Sequence, residues 1–560
     1  MFDSDQEVPR GWGWLLATAF VLLYLPNLGV MPLSRLEAIA AMGALDLVSA
    51  VGGDRPFATY PLYPQLVRFV RFAVGENEWA VRLPSVLAIL GMTAASGLMA
   101  RRVGGGASSQ VAMLVVFSPI LCLVAGRTAT GHALSAFLLS TAWFVWYYLG
   151  RVKHRWSLAW ALALTLVLVA AFHGGPRAFV VFYFPLFFLR RPLKVWRRLR
   201  MPQHLIFLGL ALLIFVPWFH GQMKDAFLLP LESVLAEPGA SLRNVFRFPF
   251  RAFALMLPAP FFFWPGFCAA FRPLEKDAEL ASFMRTLVLP LFLAFWLIPQ
   301  AEPIDLLVLL PPLAVLAGMH YEILMRRYSR FLLRGFNFCE RVLLAAVSAL
   351  SVAWLLVALG LIEIERLPGL HAWSAVASGV ALVLLLISLR RAGCLYLPVW
   401  LRLAAMVAVA CLLVTVGWLP TRSIFLRMHN DRAAVLRRQV PAGATVYKLT
   451  PMPLPKESFY LKRKVVFVDF PAQLPDQPEA VWVLGGFNPP LTDRFTWTPA
   501  SDLVDPEDDY AAEFDWWPGG RKILRVRVRR RPGDLPEALA GIRMYRGERR
   551  RDPGTSAAAE

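Results

Sequence analysis

Apolar runs of about 18–22 residues recur along the first 420 positions of the chain, separated by short polar or basic clusters. One such run is enough α-helix to cross the hydrocarbon of a bilayer, and a soluble domain of this length would not repeat it. We read about thirteen spans, near residues 12–30, 81–100, 108–126, 131–150, 157–172, 175–190, 204–220, 252–271, 286–300, 304–321, 342–362, 373–390 and 400–419. The stretch 157–190 reads either as two spans or as one re-entrant unit, because His173-Gly174-Gly175-Pro176 interrupts it. The pattern predicts an all-α polytopic membrane protein over residues 1–420.

Two loops are long, at 31–80 and 221–251. The first holds a helix candidate around 34–49 and a second around 62–74. In the latter, arginines fall on one side and aromatics on the other, which suits a helix lying in the membrane interface. From about 421 the chain turns polar and Pro-rich. Asp431 to Val440 reads as a helix. Alternating stretches at 464–468, 480–484 and 522–528 read as strands. A small α/β domain over 421–546 and a disordered tail over 547–560 complete the expectation. No internal repeat is visible.

Composition changes this picture little, but charge orients it. The 560 residues are 57% hydrophobic and 17% charged, with a net charge of +20. So basic a chain invites a nucleic-acid reading. Its cations, however, cluster in alternate loops: Arg101-Arg102, Arg151 to Arg155, Arg190 to Arg200, Arg326 to Arg334 and Arg390-Arg391. That is the positive-inside pattern of a cytoplasmic (inner) membrane protein, with no nucleic acid among its partners. It puts the N-terminus inside and the C-terminal domain on the periplasmic or extracellular face. All five cysteines lie in or beside spans, so no disulfide framework is expected. The first span lacks a small-residue cleavage site and reads as a retained helix.

Several stretches carry a family resemblance. They are Asp54-Arg55-Pro56-Phe57-Ala58-Thr59-Tyr60-Pro61-Leu62-Tyr63, Gly75-Glu76-Asn77-Glu78-Trp79-Ala80-Val81-Arg82-Leu83-Pro84-Ser85, Pro217-Trp218 and Pro311-Pro312-Leu313-Ala314. In the tail they are Val446-Tyr447 and Ser458-Phe459-Tyr460-Leu461-Lys462-Arg463. In this order the chain resembles the integral-membrane C-type glycosyltransferases. Among them it is most similar to the dolichyl-phosphate-mannose protein mannosyltransferase-like proteins and the aminoarabinose transferase that modifies lipid A. The resemblance implies transfer of a sugar from a polyprenyl-phosphate donor. It also carries over Glu37 and Arg82. The chain departs from the family pattern at four places. Leu36-Glu37 stands for an Asp-Glu pair, His132 for a second Asp, Tyr60 for a Lys before Pro, and His173-Gly174-Gly175 for Thr-Lys-Gly, with Arg177 close by as a stand-in cation.

The residues point to the same chemistry without the name. A sugar on a polyprenyl phosphate has a leaving group that departs as an anion, so the site needs cations. It also needs a base for the proton of the attacking hydroxyl. One carboxylate suffices, unlike glycoside hydrolysis, and Glu37 is the candidate. Arg82, Arg127, Arg177 and Arg247 are the candidate phosphate ligands, since a guanidinium fork suits phosphate; the bland alternative is anchoring at span ends. Arg243, Arg247 and Arg251 recur every four residues and would share one helix face. Arg35, Tyr60, Tyr63, His132 and His173 are the remaining pocket candidates, and His132 is an alternative base. No cofactor is expected; a divalent metal held by His132, His173 and Glu37 is the weaker alternative. The acceptor is a lipid, protein or glycan, as in lipid A modification or protein glycosylation. Rival readings are a scaffold that has lost catalysis and a transporter of lipid-linked sugars. A transporter would carry charges in mid-span and paired repeats, and few mid-span charges are present.

Overall fold

We describe a computed structural model of the chain. It describes residues 11–25, 62–189, 195–222, 238–298 and 301–321 almost without interruption, the strands named below, and isolated positions between 28 and 41 and beyond 323. The chain divides into two compact units. The first comprises 1–28, 60–351 and 377–417, and the second 29–59, 352–376 and 418–560.

The first unit is helical. Its described elements are α1 (Gly11–Tyr24), α2 (Leu62–Val74), α3 (Glu78–Phe117), α4 (Ile120–Gly126), α5 (His132–Tyr147), α6 (Trp156–Gly174), α7 (Arg177–Leu186), α8 (Pro202–Gln222), α9 (Pro238–Met256), α10 (Ala278–Leu297) and α11 (Pro303–Tyr321), the last opening on a 3₁₀ turn. Six helices among the described residues are long and apolar enough to cross a membrane. The protein is therefore a multi-pass membrane protein. The spans expected at 342–362, 373–390 and 400–419 lie mostly outside the described residues.

The expected spans at 81–100 and 108–126 meet at a glycine corner. Gly104 and Gly105 leave helical φ/ψ inside α3, Gly105 at φ +70°. The chain folds back there, because Gly97 meets the side chains of Ser109 and Met113. A straight helix would hold residues 97 and 109 about 18 Å apart. Ser118-Pro119 then ends the second half before α4. His173-Gly174-Gly175-Pro176 breaks the next run as expected. The piece beyond it, α7, has only 10 residues, about half of what a crossing needs.

The expected span at 252–271 is not one helix. α9 begins inside the second long loop and runs to Met256; a short helix at Pro260–Phe263 and 3₁₀ turns follow. Prolines 258, 260, 265 and 273 remove the donors a continuous helix needs. The amphipathic α2 forms as expected, with Phe69 and Phe72 exposed and Tyr63 and Val67 buried.

The end of the bundle where α10 starts and α11 ends is held by ion pairs. Arg151 grips Glu279 through both Nε and Nη2, and Arg285 pairs with Glu275. His320 Nε2 lies 3.0 Å from the same Glu275 oxygen, and its Nδ1 lies 2.8 Å from the Leu316 carbonyl.

The second unit is built on strands. Beside the predicted strands at β4 (Val465–Phe467), β5 (Ala480–Gly485) and β8 (Leu524–Arg530) stand β3 (Val446–Lys448), β6 (Phe495–Leu503), β7 (Tyr510–Trp516) and β9 (Ile542–Arg549). β9 thus extends past the residue at which the disordered tail was expected to begin. Two further strands come from far away in sequence: β1 (Val48–Ala50), from the first long loop, and β2 (Ile362–Ile364). One sheet has the order β1-β4-β3-β5-β9-β6, with β1 parallel to β4 at Val48–Val465; the other runs β2-β8-β7. The second unit thus draws on 29–59 and 352–376 as well as on 418–560. Val468, Leu474, Val481, Val483 and Phe495 form a core in it. The helix expected at 431–440 lies mostly outside the described residues.

Candidate active site

In the first unit, five elements surround a cavity of about 440 Å³. α5 offers His132, Ser135, Ala136 and Leu139; α10 offers Leu291, Ala294, Phe295 and Ile298. Each set has the i, i+3, i+4, i+7 spacing of one helix face. The end of α6 and the start of α7 add His173 and Arg177, and α11 adds Asp305 at its first turn. The walls are mostly apolar, and the polar groups gather where these helices begin or end.

Two helices begin at this cavity without a side-chain cap. α5 follows Gly131 and α7 follows Pro176, and neither capping residue offers a side-chain acceptor. The first N–H groups of a helix lack partners within it, and the helix dipole puts positive potential there; at α7 the Ala178 and Phe179 N–H groups already bond the Gly175 and Pro176 carbonyls. The first residues of these helices are His132 and Arg177, and the Arg177 guanidinium adds to that potential. Arg177 is exposed and makes no hydrogen bond or ion pair with a described residue. The Thr130 hydroxyl, which also lines the cavity, is buried and has no hydrogen-bond partner among the described residues. Such a place is suited to an anion.

Gly131 brings His173 to this spot. It holds φ +73°, and a Cβ built on it would stand 1.9 Å from His173 Nε2. The Tyr63 ring lies 6.0 Å from the His173 ring. Tyr63 does not line the cavity: its hydroxyl donates to the Val81 carbonyl at 2.9 Å and lies 2.7 Å from Ser85 Oγ. So the structure gathers Tyr63, His132, His173 and Arg177, residues 63 to 177 of the chain, around one corner.

Arg82 and Arg127, expected as phosphate ligands, each bond a main-chain carbonyl at or just after the end of α1. Both are buried. Arg82 Nη1 donates to the Leu28 carbonyl at 2.6 Å, and Arg127 Nη1 to the Leu23 carbonyl at 2.8 Å. The last carbonyls of α1 and the turn after it have no helical partners, and these guanidinium groups satisfy them. Neither lines the cavity. Replacing either with methionine should cost about 1–3 kcal/mol of stability through the unpaired buried carbonyl. Melting in detergent should fall, while affinity for the polyprenyl-phosphate donor expected from the sequence stays within about threefold. A loss of affinity with unchanged melting would restore the clamp.

Arg247 is exposed on α9, one residue from the exposed Phe246. The helix does carry Arg243, Arg247 and Arg251 at its four-residue spacing, and Arg247 is not part of the cavity. Glu37 belongs to the second unit, where it is 2% exposed. Arg35, Leu36 and Tyr60 lie outside the described residues. Among the described residues, no three His, Cys, Asp or Glu side chains stand close enough to hold a metal ion. Sequence reasoning missed Asp305 and Glu302. Their signal was present as a Glu-Pro-x-Asp start ahead of an apolar run.

No known family model matches the sequence, and no curated protein matches it. Solved structures do. ArnT from Cupriavidus metallidurans in the apo state superposes with a TM-score of 0.61 at 18% identity, covering 85% of this chain and 92% of that one. The same protein bound to undecaprenyl phosphate gives 0.62 at 16%, over 85% and 94%. An Archaeoglobus fulgidus oligosaccharyltransferase aligns more loosely, with a TM-score of 0.42 at 13% identity over 84% and 65%, too low to argue from. The chain has the fold of an integral-membrane C-type glycosyltransferase. Within that class the likeness is to ArnT, over nearly the whole length of both chains.

Proposed function

We propose that the protein transfers a sugar from a polyprenyl-phosphate donor to a hydroxyl acceptor at the outer face of the cytoplasmic membrane. One observation carries this reading. The uncapped starts of α5 and α7, with Arg177 unpaired among the described residues, open onto apolar faces of α5, α7 and α10. A phosphate with a long hydrocarbon tail needs that combination: donors and positive potential for the head, a dry wall for the chain. The fold of ArnT, one of whose structures holds undecaprenyl phosphate, supports it.

In the reaction the acceptor oxygen forms a bond to the anomeric carbon as the carbon–oxygen bond to phosphate breaks. The electron pair leaves with the phosphate, and Arg177 and the helix starts balance its charge. The acceptor's proton goes to a base, which the sequence argument assigns to Glu37. The acceptor is a lipid, protein or glycan, and the topology is N-terminus inside with the strand-built unit outside.

The test uses membranes containing the protein and a radiolabelled polyprenyl-phosphate sugar. Label should pass to a membrane or glycan acceptor, and Arg177→Gln should cut the rate at least ~10-fold, the scale of a lost charged hydrogen bond. Donor binding without transfer would mark a lipid-binding scaffold. Neither binding nor transfer with any donor would end the proposal.

A further inference from the structure

At the basic end of the bundle, guanidinium groups lie on aromatic rings. Arg102 stands 4.4 Å over the Tyr148 ring, and Lys153 lies 6.0 Å from the same ring. Arg198 stands 4.0 Å over the Trp156 ring. The two rings belong to one patch: Tyr148 opens a π-helical turn, Tyr148–Val152, and a Cβ built on its Gly150 would fall 2.5 Å from Cζ3 of Trp156. Arg197 and Arg200 flank Arg198 and are exposed. The acids at this end are already engaged. Glu279 takes Arg151, Glu275 takes Arg285 and His320, and Asp277 accepts from the Leu280 N–H. Among the described residues, Arg197, Arg198 and Arg200 have no ion pair.

The positive-inside rule accounts for cations here, but not for what lies beside them. A second cavity, of about 510 Å³, runs between α7 and α8. Phe179, Tyr183 and Phe187, four residues apart on α7, line it with Leu205 and Leu208 of α8; Leu199 lines it too, between Arg198 and Arg200. Its polar groups are satisfied within the wall. The Leu199 carbonyl can only accept, so His204 Nδ1 donates to it at 2.9 Å, and the Tyr183 hydroxyl donates to Nε2 at 2.8 Å. Phe187 and Leu205 are exposed, so the groove opens outward. The Trp196 ring lies 5.4 Å from that of Phe187, and tryptophan favours the boundary between headgroup and hydrocarbon. Cations and a dry groove thus meet at Leu199, the layout that an amphiphile with an anionic head requires.

We propose that this end of the bundle binds an anionic phospholipid of the cytoplasmic leaflet, its phosphate held by Arg197, Arg198 and Arg200 and an acyl chain laid in the groove between α7 and α8. Stacking on Trp156 holds the Arg198 guanidinium in place before the lipid arrives. The engaged acids leave no carboxylate for the ammonium of a zwitterionic head, which sets the preference for net negative charge. The site does not depend on the transfer reading. Val180 and Phe184 line both this groove and the cavity at Arg177, so the donor's tail is the rival occupant.

The test compares phosphatidylglycerol with phosphatidylcholine of the same acyl chains, each binding to the purified full chain in neutral micelles. Phosphatidylglycerol should bind at least ~10-fold more tightly, the scale of several basic residues near an anionic lipid, and inorganic phosphate should not displace it. Arg197→Gln with Arg200→Gln alters exposed side chains, so melting should hold while the preference falls to about threefold or less; Arg197→Lys with Arg200→Lys should keep most of it. Leu205→Trp fills the groove and should weaken both lipids alike, ~5-fold or more, with their ratio unchanged. Equal binding of the two lipids, or a preference that survives the glutamine pair, overturns the proposal. So does undiminished binding by Leu205→Trp, or displacement by inorganic phosphate, either of which leaves the groove without a part. Displacement of phosphatidylglycerol by undecaprenyl phosphate from the parent but not from Arg177→Gln would give the groove to the donor's tail and overturn it too. Loss of the donor reading alone, with no undecaprenyl phosphate bound at Arg177, leaves the phospholipid preference as it is.

Discussion

Replacing Gly131 with alanine is expected to remove at least ~99% of transfer and of undecaprenyl phosphate binding, and to lower the melting point in detergent. Two costs fall on one methyl group. Gly131 sits at φ +73°, where an L-residue with a Cβ is disfavoured by roughly 1–2 kcal/mol. The Cβ would also stand 1.9 Å from Nε2 and 2.1 Å from Cε1 of His173. Neither atom ends a flexible chain; both belong to a ring buried at 4% exposure. The ring must move, or the start of α5 must. Either movement displaces His132, which directly follows Gly131, and opens the corner that α6 and α7 share. Adding His173→Ala should recover much of the melting point by making room, but only part of the binding, since the strain at residue 131 remains. A Gly131→Ala protein within threefold of the parent in binding would show that the corner is soft and that the cavity does not depend on it.

How far the sequence revealed this site depends on distance along the chain. The helix breaks were legible because they are local: His173-Gly174-Gly175-Pro176 and the glycines after Arg101-Arg102 announce themselves by residue type. The amphipathic α2 was legible from its own spacing. Strands β4, β5 and β8 were legible from alternation. Contacts between distant segments were not. Arg82 and Arg127 look like any cation at a span end, and only the packing of α1 turns them toward its carbonyls, 54 and 104 residues away. Asp305 looks like a helix-start acid, which it is; its place in the cavity comes from how α11 packs on α5. β1 and β2 have three residues each, too few for a periodic signal, and each joins a partner far along the chain, Val48 at Val465 and Ile362 at Leu524. His132, His173 and Arg177 were found for a different reason. Polar residues at the ends of apolar runs are few, and the departures from the family pattern fell on the same positions.

Glu37→Gln is expected to lower kcat about 10³-fold or more while leaving donor affinity and melting nearly unchanged. General-base catalysis contributes on the order of 10²–10⁴. The group that removes the acceptor's proton acts mainly in the transition state, so its loss falls on kcat and not on ground-state binding. Glutamine keeps the shape and an acceptor oxygen, which matters because Glu37 is 2% exposed and a larger change there would confound folding with chemistry. Eleven residues on, the same loop joins the six-stranded sheet through β1, parallel to β4. That pairing fixes one end of the loop carrying the acid, and it involves main chain that neither Glu37→Gln nor Glu37→Asp touches. The aspartate variant retains the charge but withdraws it by one methylene. It should fall between parent and glutamine, because a proton acceptor must reach within hydrogen-bond distance of the hydroxyl. The order parent, aspartate, glutamine in kcat at constant undecaprenyl phosphate affinity separates a base from a binding residue, which would lose affinity, and from a structural acid, which would lose melting temperature. A glutamine variant that keeps more than a tenth of the parent rate would move the proton elsewhere. His132 would then be the first residue to examine, because it lines the cavity together with Arg177 and Asp305.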